Sequence, residues 1–135
     1  MDGATSASAP PPFVYTLTSL EQELLGMTSP PADVINLGIW DNGDLQDGFR
    51  ELTPERLRLL AAKMHSSPNV KVLNLSGNKM NASTINDVAE ALAKLTKLEC
   101  VNLNRCNIGD EGAGRLAEPL GKLTALRELN LSSTV

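Results

Sequence analysis

One hundred and thirty-five residues suffice for a single domain that buries about two-thirds of the surface an unfolded chain exposes, and leave too little chain for a second. Aromatic residues make up 3%, so the core has to come from Leu, Val, Ile, Ala and Met. A formal net charge of −4 and a pI near 4.9 argue against a protein that works by neutralising phosphates, and so against nucleic acid as a partner. The charge is also uneven. Residues 1–49 hold seven acids and no Lys or Arg, whereas residues 50–135 hold all twelve bases and the other nine acids.

The chain opens with "MDGATSASAPPP", an Ala/Ser/Pro-rich tail over residues 1–12 that reads as disordered or extended. It lacks the basic and apolar regions of a secretory signal, and no apolar run approaches the length of a membrane span, which points to a cytoplasmic protein with no membrane partner. The Asn-x-Ser sequons at Asn74, Asn81 and Asn130 are then chance matches. Residues 13–32 follow as an N-terminal capping helix and linker: in "TSLEQELLG", Thr18 and Glu21 are spaced as a capping box and Gly26 as the stop. Phe13, Leu17, Leu20, Leu24 and Leu25 supply its apolar side.

Three later segments repeat: "VKVLNLSGNKM" (70–80), "LECVNLNRCNI" (98–108) and "LRELNLSSTV" (126–135), each starting 28 residues after the last. Leu73, Val101 and Leu129 align, as do Leu75, Leu103 and Leu131, and then Asn78, Cys106 and Thr134. The segment "VINLGIW" (34–40) matches them, with Ile35 and Leu37 as core residues and Trp40 in the Asn/Cys position. Strands are expected near 34–38, 72–76, 100–104 and 128–131. Between them, apolar spacings of three and four mark helices: Leu57, Leu60, Ala61 and Met64; Ile85, Val88, Ala89, Leu92 and Leu95; Ala113, Leu116, Ala117, Leu120 and Leu123. Thr53, Ser83 and Asp110 stand as their N-caps, with Pro54 at the first helical position.

The pattern L-x-x-L-x-L-x-x-N/C with a helix in each unit resembles the leucine-rich repeat, in its ribonuclease-inhibitor-like subclass, over about residues 33–135. That resemblance implies an α/β class fold, a right-handed α/β solenoid with a parallel concave sheet and convex helices. It implies about three and a half units, the last left uncapped.

Ile35 and Leu73 are ten residues further apart than the repeat requires, and the excess holds "DNGDLQDG" (41–48). A calcium loop of the EF-hand type needs oxygen ligands at positions 1, 3 and 5, Gly at 6 and Glu at 12. Starting at Asp41 places Gly43, Leu45 and Gln46 at positions 3, 5 and 6, and starting at Asp44 places Phe49 at position 6. No metal site is expected, and calcium should not stabilise the protein. The stretch reads as an enlarged strand-to-helix connection, either a solvated loop whose Asp and Gly make turns or a rim element that meets a partner.

Catalytic signatures are absent. His65 lies beside no nucleophile, and "GDEGAG" (109–114) lacks the Lys and Ser/Thr of a phosphate loop, its glycines suiting close packing instead. No cofactor is implied. Cys100 and Cys106 sit too far apart on one extended segment to bridge, and are expected as free thiols. What varies on the common scaffold is the outward face. Asn36, Asn74, Asn102 and Asn130 recur at one position and suggest a ladder of amides bonded one to the next. Around them stand Val72, Ser76, Cys100, Asn104, Arg105 and Glu128, with Trp40, Asp41, Asp44 and Asp47 at the rim. These are the candidate partner-binding residues of a non-catalytic protein-interaction module. The alternatives are a GTPase-activating or other regulatory fragment of the Ran-activator type, implied by the resemblance alone, and a structural self-assembling unit. The unshielded last strand is a site for association or for further repeats.

Overall fold

Side chains on a strand alternate between its two faces, so each "L-N-L" core triplet sends its leucines to one side and its asparagine to the other. The computed structural model describes residues 11–38, 50–51 and 53–131. In chain order its elements are β1 (Val14–Thr16), α1 (Leu17–Leu24), β2 (Val34–Asn36), β3 (Arg50–Glu51), α2 (Pro54–His65), β4 (Val72–Asn74), β5 (Asn78–Lys79), α3 (Ala82–Leu92), β6 (Cys100–Asn102), α4 (Gly109–Gly121) and β7 (Glu128–Asn130). The main sheet runs β1-β2-β4-β6-β7 and every pairing in it is parallel. Such a sheet needs a crossover between consecutive strands, and α2, α3 and α4 serve as three of them, packed side by side in one layer.

Tyr15, Ile35, Leu73, Val101 and Leu129 share one register row. The first four are buried against the helices in a core with Leu57, Leu60, Met64, Ile85, Val88, Leu92 and Leu116. The other face of the sheet is open.

The strands are shorter than the sequence pattern suggests, and the recurring asparagines are the reason. The Oδ1 of Asn36, Asn74 and Asn102 accepts from the backbone N–H two residues on, that of Gly38, Ser76 and Asn104, at 3.2, 3.0 and 2.9 Å. Each asparagine so bends its own chain out of the strand direction at the residue where the expected strand would have ended. Among the described residues, no hydrogen bond of Asn36, Asn74 or Asn102 joins one amide to the next as a ladder would. Beyond the bend, Asn78 Nδ2 donates to Leu37 O at 2.8 Å and Leu75 O at 2.9 Å, and the Cys106 thiol donates to Leu75 O at 3.1 Å. Asn78 and Cys106 thus tie their repeats to the ones before them.

Four expectations need correction. Val14–Thr16 forms a strand ahead of α1, in register with Val34–Asn36 and only twenty residues before it; "YTL" (15–17) stands where later repeats have "LNL", so the signal was there, masked by a tyrosine in a leucine position. Arg50, not Trp40, lies opposite Asn78 in the backbone register, and the sequence between Gly38 and Arg50 is ten residues longer than that between Ser76 and Asn78. Trp40 itself lies outside the described residues. The helix caps also shift. Thr53 caps α2 as expected, but Asn81 rather than Ser83 caps α3, and Thr16 with Ser19 rather than Thr18 with Glu21 forms the capping box of α1. At the same position α4 has Gly109, which has no side chain to cap with and takes φ +71°, and Asp110 falls inside the first turn. Gly26, at φ +92°, ends α1 as expected, with Gly26 N–H on Glu23 O and Met27 N–H on Gln22 O.

The fourth correction concerns α4. Ala113 and Ala117, expected in the core, are exposed, while Gly112 faces α3 so closely that a Cβ there would lie 2.6 Å from Ile108 and 2.7 Å from Ile85. The equivalents of these alanines in α3, Ile85 and Ala89, are buried because α4 covers them. No further helix among the described residues covers α4. The same holds for the last strand: Leu129 is 43% exposed where its row-mates Leu73 and Val101 are at most 2%.

Candidate functional site

Because the helices cover one face of the sheet, the side chains between the leucines form the other, and the parallel register lines them up in rows. Val72, Cys100 and Glu128 make one row and Asn74, Asn102 and Asn130 the next. Together with Leu131 they line an open depression of about 690 Å³. Six of the candidate binding residues are thereby brought onto one surface.

The rest are placed differently. Ser76 and Asn104 lie past the Asn-directed bend, with their backbone N–H groups taken by Asn74 and Asn102. The Asn104 Oδ1 is buried with no hydrogen-bond partner among the described residues. Arg105 is exposed and takes φ +60°, the left-handed conformation that Gly77 takes 28 residues earlier at φ +81°. A residue with a Cβ is held there at a cost of about 1–2 kcal/mol. The rim residues Trp40, Asp41, Asp44 and Asp47 lie outside the described residues.

The two thiols differ in environment. Cys106 is fully buried in the Asn/Cys position, and burial pushes its pKa up to about 12 despite the hydrogen bonds it receives from the backbone of Asn78 and Gly77. Cys100 faces the depression and donates to Glu128 Oε1 at 3.1 Å; that bond, with a smaller contribution from burial, raises its pKa as well. Neither thiol is poised as a nucleophile. Among the described residues no cluster of His, Cys, Asp and Glu could hold a metal ion.

A second polar cluster escaped the sequence reading. Lys63, on the buried face of α2, donates to Ser29 Oγ at 2.8 Å and to the carbonyls of Ser29 and Pro30, both at 3.1 Å. It also pairs with Glu23 Oε2 at 3.3 Å and lies 5.2 Å from the centre of the Tyr15 ring. The Tyr15 hydroxyl and Ser29 Oγ each donate to Glu23 at 2.6 Å. Burial, then the bond to Glu23 and its charge, hold the Tyr15 hydroxyl well above its ordinary pKa. The residues joined are far apart in sequence and come from β1, α1, the connection after it and α2, so no local spacing reveals them. Ala32 N–H on Ser67 Oγ (2.8 Å) and Phe13 N–H on Asp33 Oδ2 (2.8 Å) add to the attachment.

A family model described as Leucine Rich repeat matches residues 66–83 and 94–117, which hold β4 and β5 with their flanks, then β6 and the first part of α4. These matches support a leucine-rich repeat protein. Such repeats are commonly protein-interaction modules and are generally non-catalytic, which supports a general protein-binding role. No curated protein matches the chain. No helix among the described residues is long and apolar enough to cross a membrane.

Proposed function

We propose that this leucine-rich repeat chain is a non-catalytic, cytoplasmic protein-interaction module of the ribonuclease-inhibitor-like kind, a right-handed solenoid that takes its partner on the concave, open face of the sheet and at the strand-to-helix rim. The observation that carries the reading is the contrast within each strand. From β2 to β6 the leucine rows stay apolar and buried, Leu129 of β7 being exposed, while the open-face row is valine at residues 14, 34 and 72 and then changes to Cys100 and Glu128. A scaffold held constant under a variable surface is suited to recognition. In this reading residues 13–32 cap the first repeat, and Trp40, Asp41, Asp44 and Asp47 add an acidic element to the rim.

The test is affinity capture with the wild-type chain and with a Cys100→Arg/Glu128→Arg variant, followed by quantitative mass spectrometry. A protein retained by the wild type, lost from the variant and kept by a control changed at exposed Glu118 on α4 is the expected result. Retention of the same proteins by all three chains would place binding elsewhere.

The exposure of Leu129 supports a further strand, from additional repeats or from a second chain, alongside β7. Light scattering across micromolar concentrations is expected to show association of the 135-residue chain, reduced by Leu129→Lys. A monomer at all concentrations would remove this edge as a contact.

A further inference from the structure

Asn74 and Asn102 occupy one row on adjacent parallel strands, and both line the depression on the open face. Their Oδ1 atoms are turned back to their own chain by the N–H groups of Ser76 and Asn104. A backbone N–H can only donate, so these bonds determine which end of each amide is oxygen and which is nitrogen. The two Nδ2 groups therefore present two N–H donors each, and among the described residues nothing accepts from them. Both side chains are half-buried. Covering them without an acceptor would lose the water they bond to and return nothing.

The charges around this row cancel. The residues just before the strands are Asp33, Lys71, Glu99 and Arg127, alternating in sign, and Arg127 pairs with Glu99 at 3.5 Å. Within the depression Glu128 adds one carboxylate, which accepts from the neutral Cys100 thiol and keeps its charge. A charged partner finds little to pair with here beyond that single carboxylate, while a neutral one bearing oxygen acceptors matches the unspent donors. We propose that the open face takes an extended, uncharged polypeptide segment whose carbonyl oxygens, from its backbone or from Asn and Gln side chains, accept from the Asn74 and Asn102 amides. This rests on the protein-binding reading above and adds the chemistry of the partner.

The experiment is selection of a random dodecapeptide display library on the immobilised full chain. Affinities of the enriched peptides are then measured for the wild type and for the Asn74→Asp, Asn102→Asp and Cys100→Arg variants. Aspartate keeps the oxygen that accepts the backbone N–H, so the bend survives, and replaces the donor by an acceptor. If an Asp variant does not fold, the Ser variant, whose hydroxyl also accepts from that N–H, takes its place. Uncharged peptides rich in Asn and Gln, bound at least fivefold more weakly by each Asp variant with thermal unfolding unchanged, are the expected result. Enriched peptides that are strongly acidic or basic, or that bind the Asp variants as tightly as the wild type, overturn the inference; if Cys100→Arg still weakens them, the open face remains the binding surface. Peptides indifferent to Cys100→Arg as well overturn both. A library that yields no binder overturns the inference too, since a face open to such a segment would enrich one.

Discussion

Replacing Lys63 by Ala is expected to lower the unfolding free energy by about 3–5 kcal/mol, measured by urea denaturation at neutral pH. The Lys63 side chain is 6% exposed and that of its partner Glu23 13%, so the substitution strands a shielded carboxylate instead of trimming a solvated pair. It also removes the donor that gathers Ser29 and Pro30 against α2. A surface ion pair would account for no more than about 1 kcal/mol, so a loss of that size or less would show the cluster to be incidental. The effect carries a pH signature. Burial alone would raise the pKa of Glu23, but the hydrogen bonds from Ser29 and Tyr15 and the charge and bond of Lys63 outweigh it and bring the pKa below 4.5. A carboxyl with a folded pKa below its unfolded one contributes stability that is complete above the unfolded value. That contribution is lost as the pH falls through the lowered folded value. The wild type should therefore lose stability on acidification below about pH 4.5, and a Glu23→Gln variant should lose less over that window. Equal acid sensitivity in the two would assign the effect to other carboxylates.

Leu103→Ala is expected to cost about 2–5 kcal/mol, while Leu129→Ala should cost less than about 1 kcal/mol, both read from equilibrium unfolding. Each is a consensus leucine two residues from the other's row, and from the repeat pattern alone they are equivalent. Leu103 is fully buried between adjacent repeats, and its N–H donates to Asn130 O at 2.8 Å, so truncation leaves a cavity that the neighbouring strands cannot close. Leu129 is already half in water and the site can relax. Equal costs would mean that β7 is covered in solution by something the isolated chain supplies, and would join this result to the light-scattering test of the same edge.

The two substitutions differ in what made them visible. Leu103 belongs to a period of 28 residues that is legible without any structure, because a strand that must bury one face and expose the other repeats its leucines at a spacing set by the unit that packs beside it. The same periodicity determined the parallel strands, the helices from Pro54 and Ala82, the burial of Cys106 and the sorting of Val72, Asn74, Cys100, Asn102, Glu128 and Asn130 onto one surface. Local chemistry determined Thr53 as a cap and Gly26 as a stop, since both act within one turn of chain.

What tertiary structure decided lies where contacts join residues with no fixed spacing. Nothing in the sequence pattern singles out Lys63; only the folded arrangement of Tyr15, Glu23 and Ser29 gives it buried partners. The asparagine row is a similar case. Its position was plain from the repeat, but whether each amide reaches across to the next strand or back to its own chain depends on which N–H comes nearer, and the i+2 backbone group wins because it needs no second side chain to be ordered. The first strand was hidden because Tyr15 fills a leucine position twenty residues, not twenty-eight, ahead of Ile35. Periodicity reports what is repeated; the ends of a repeat array, where neighbours are missing on one side, are settled by what happens to pack there.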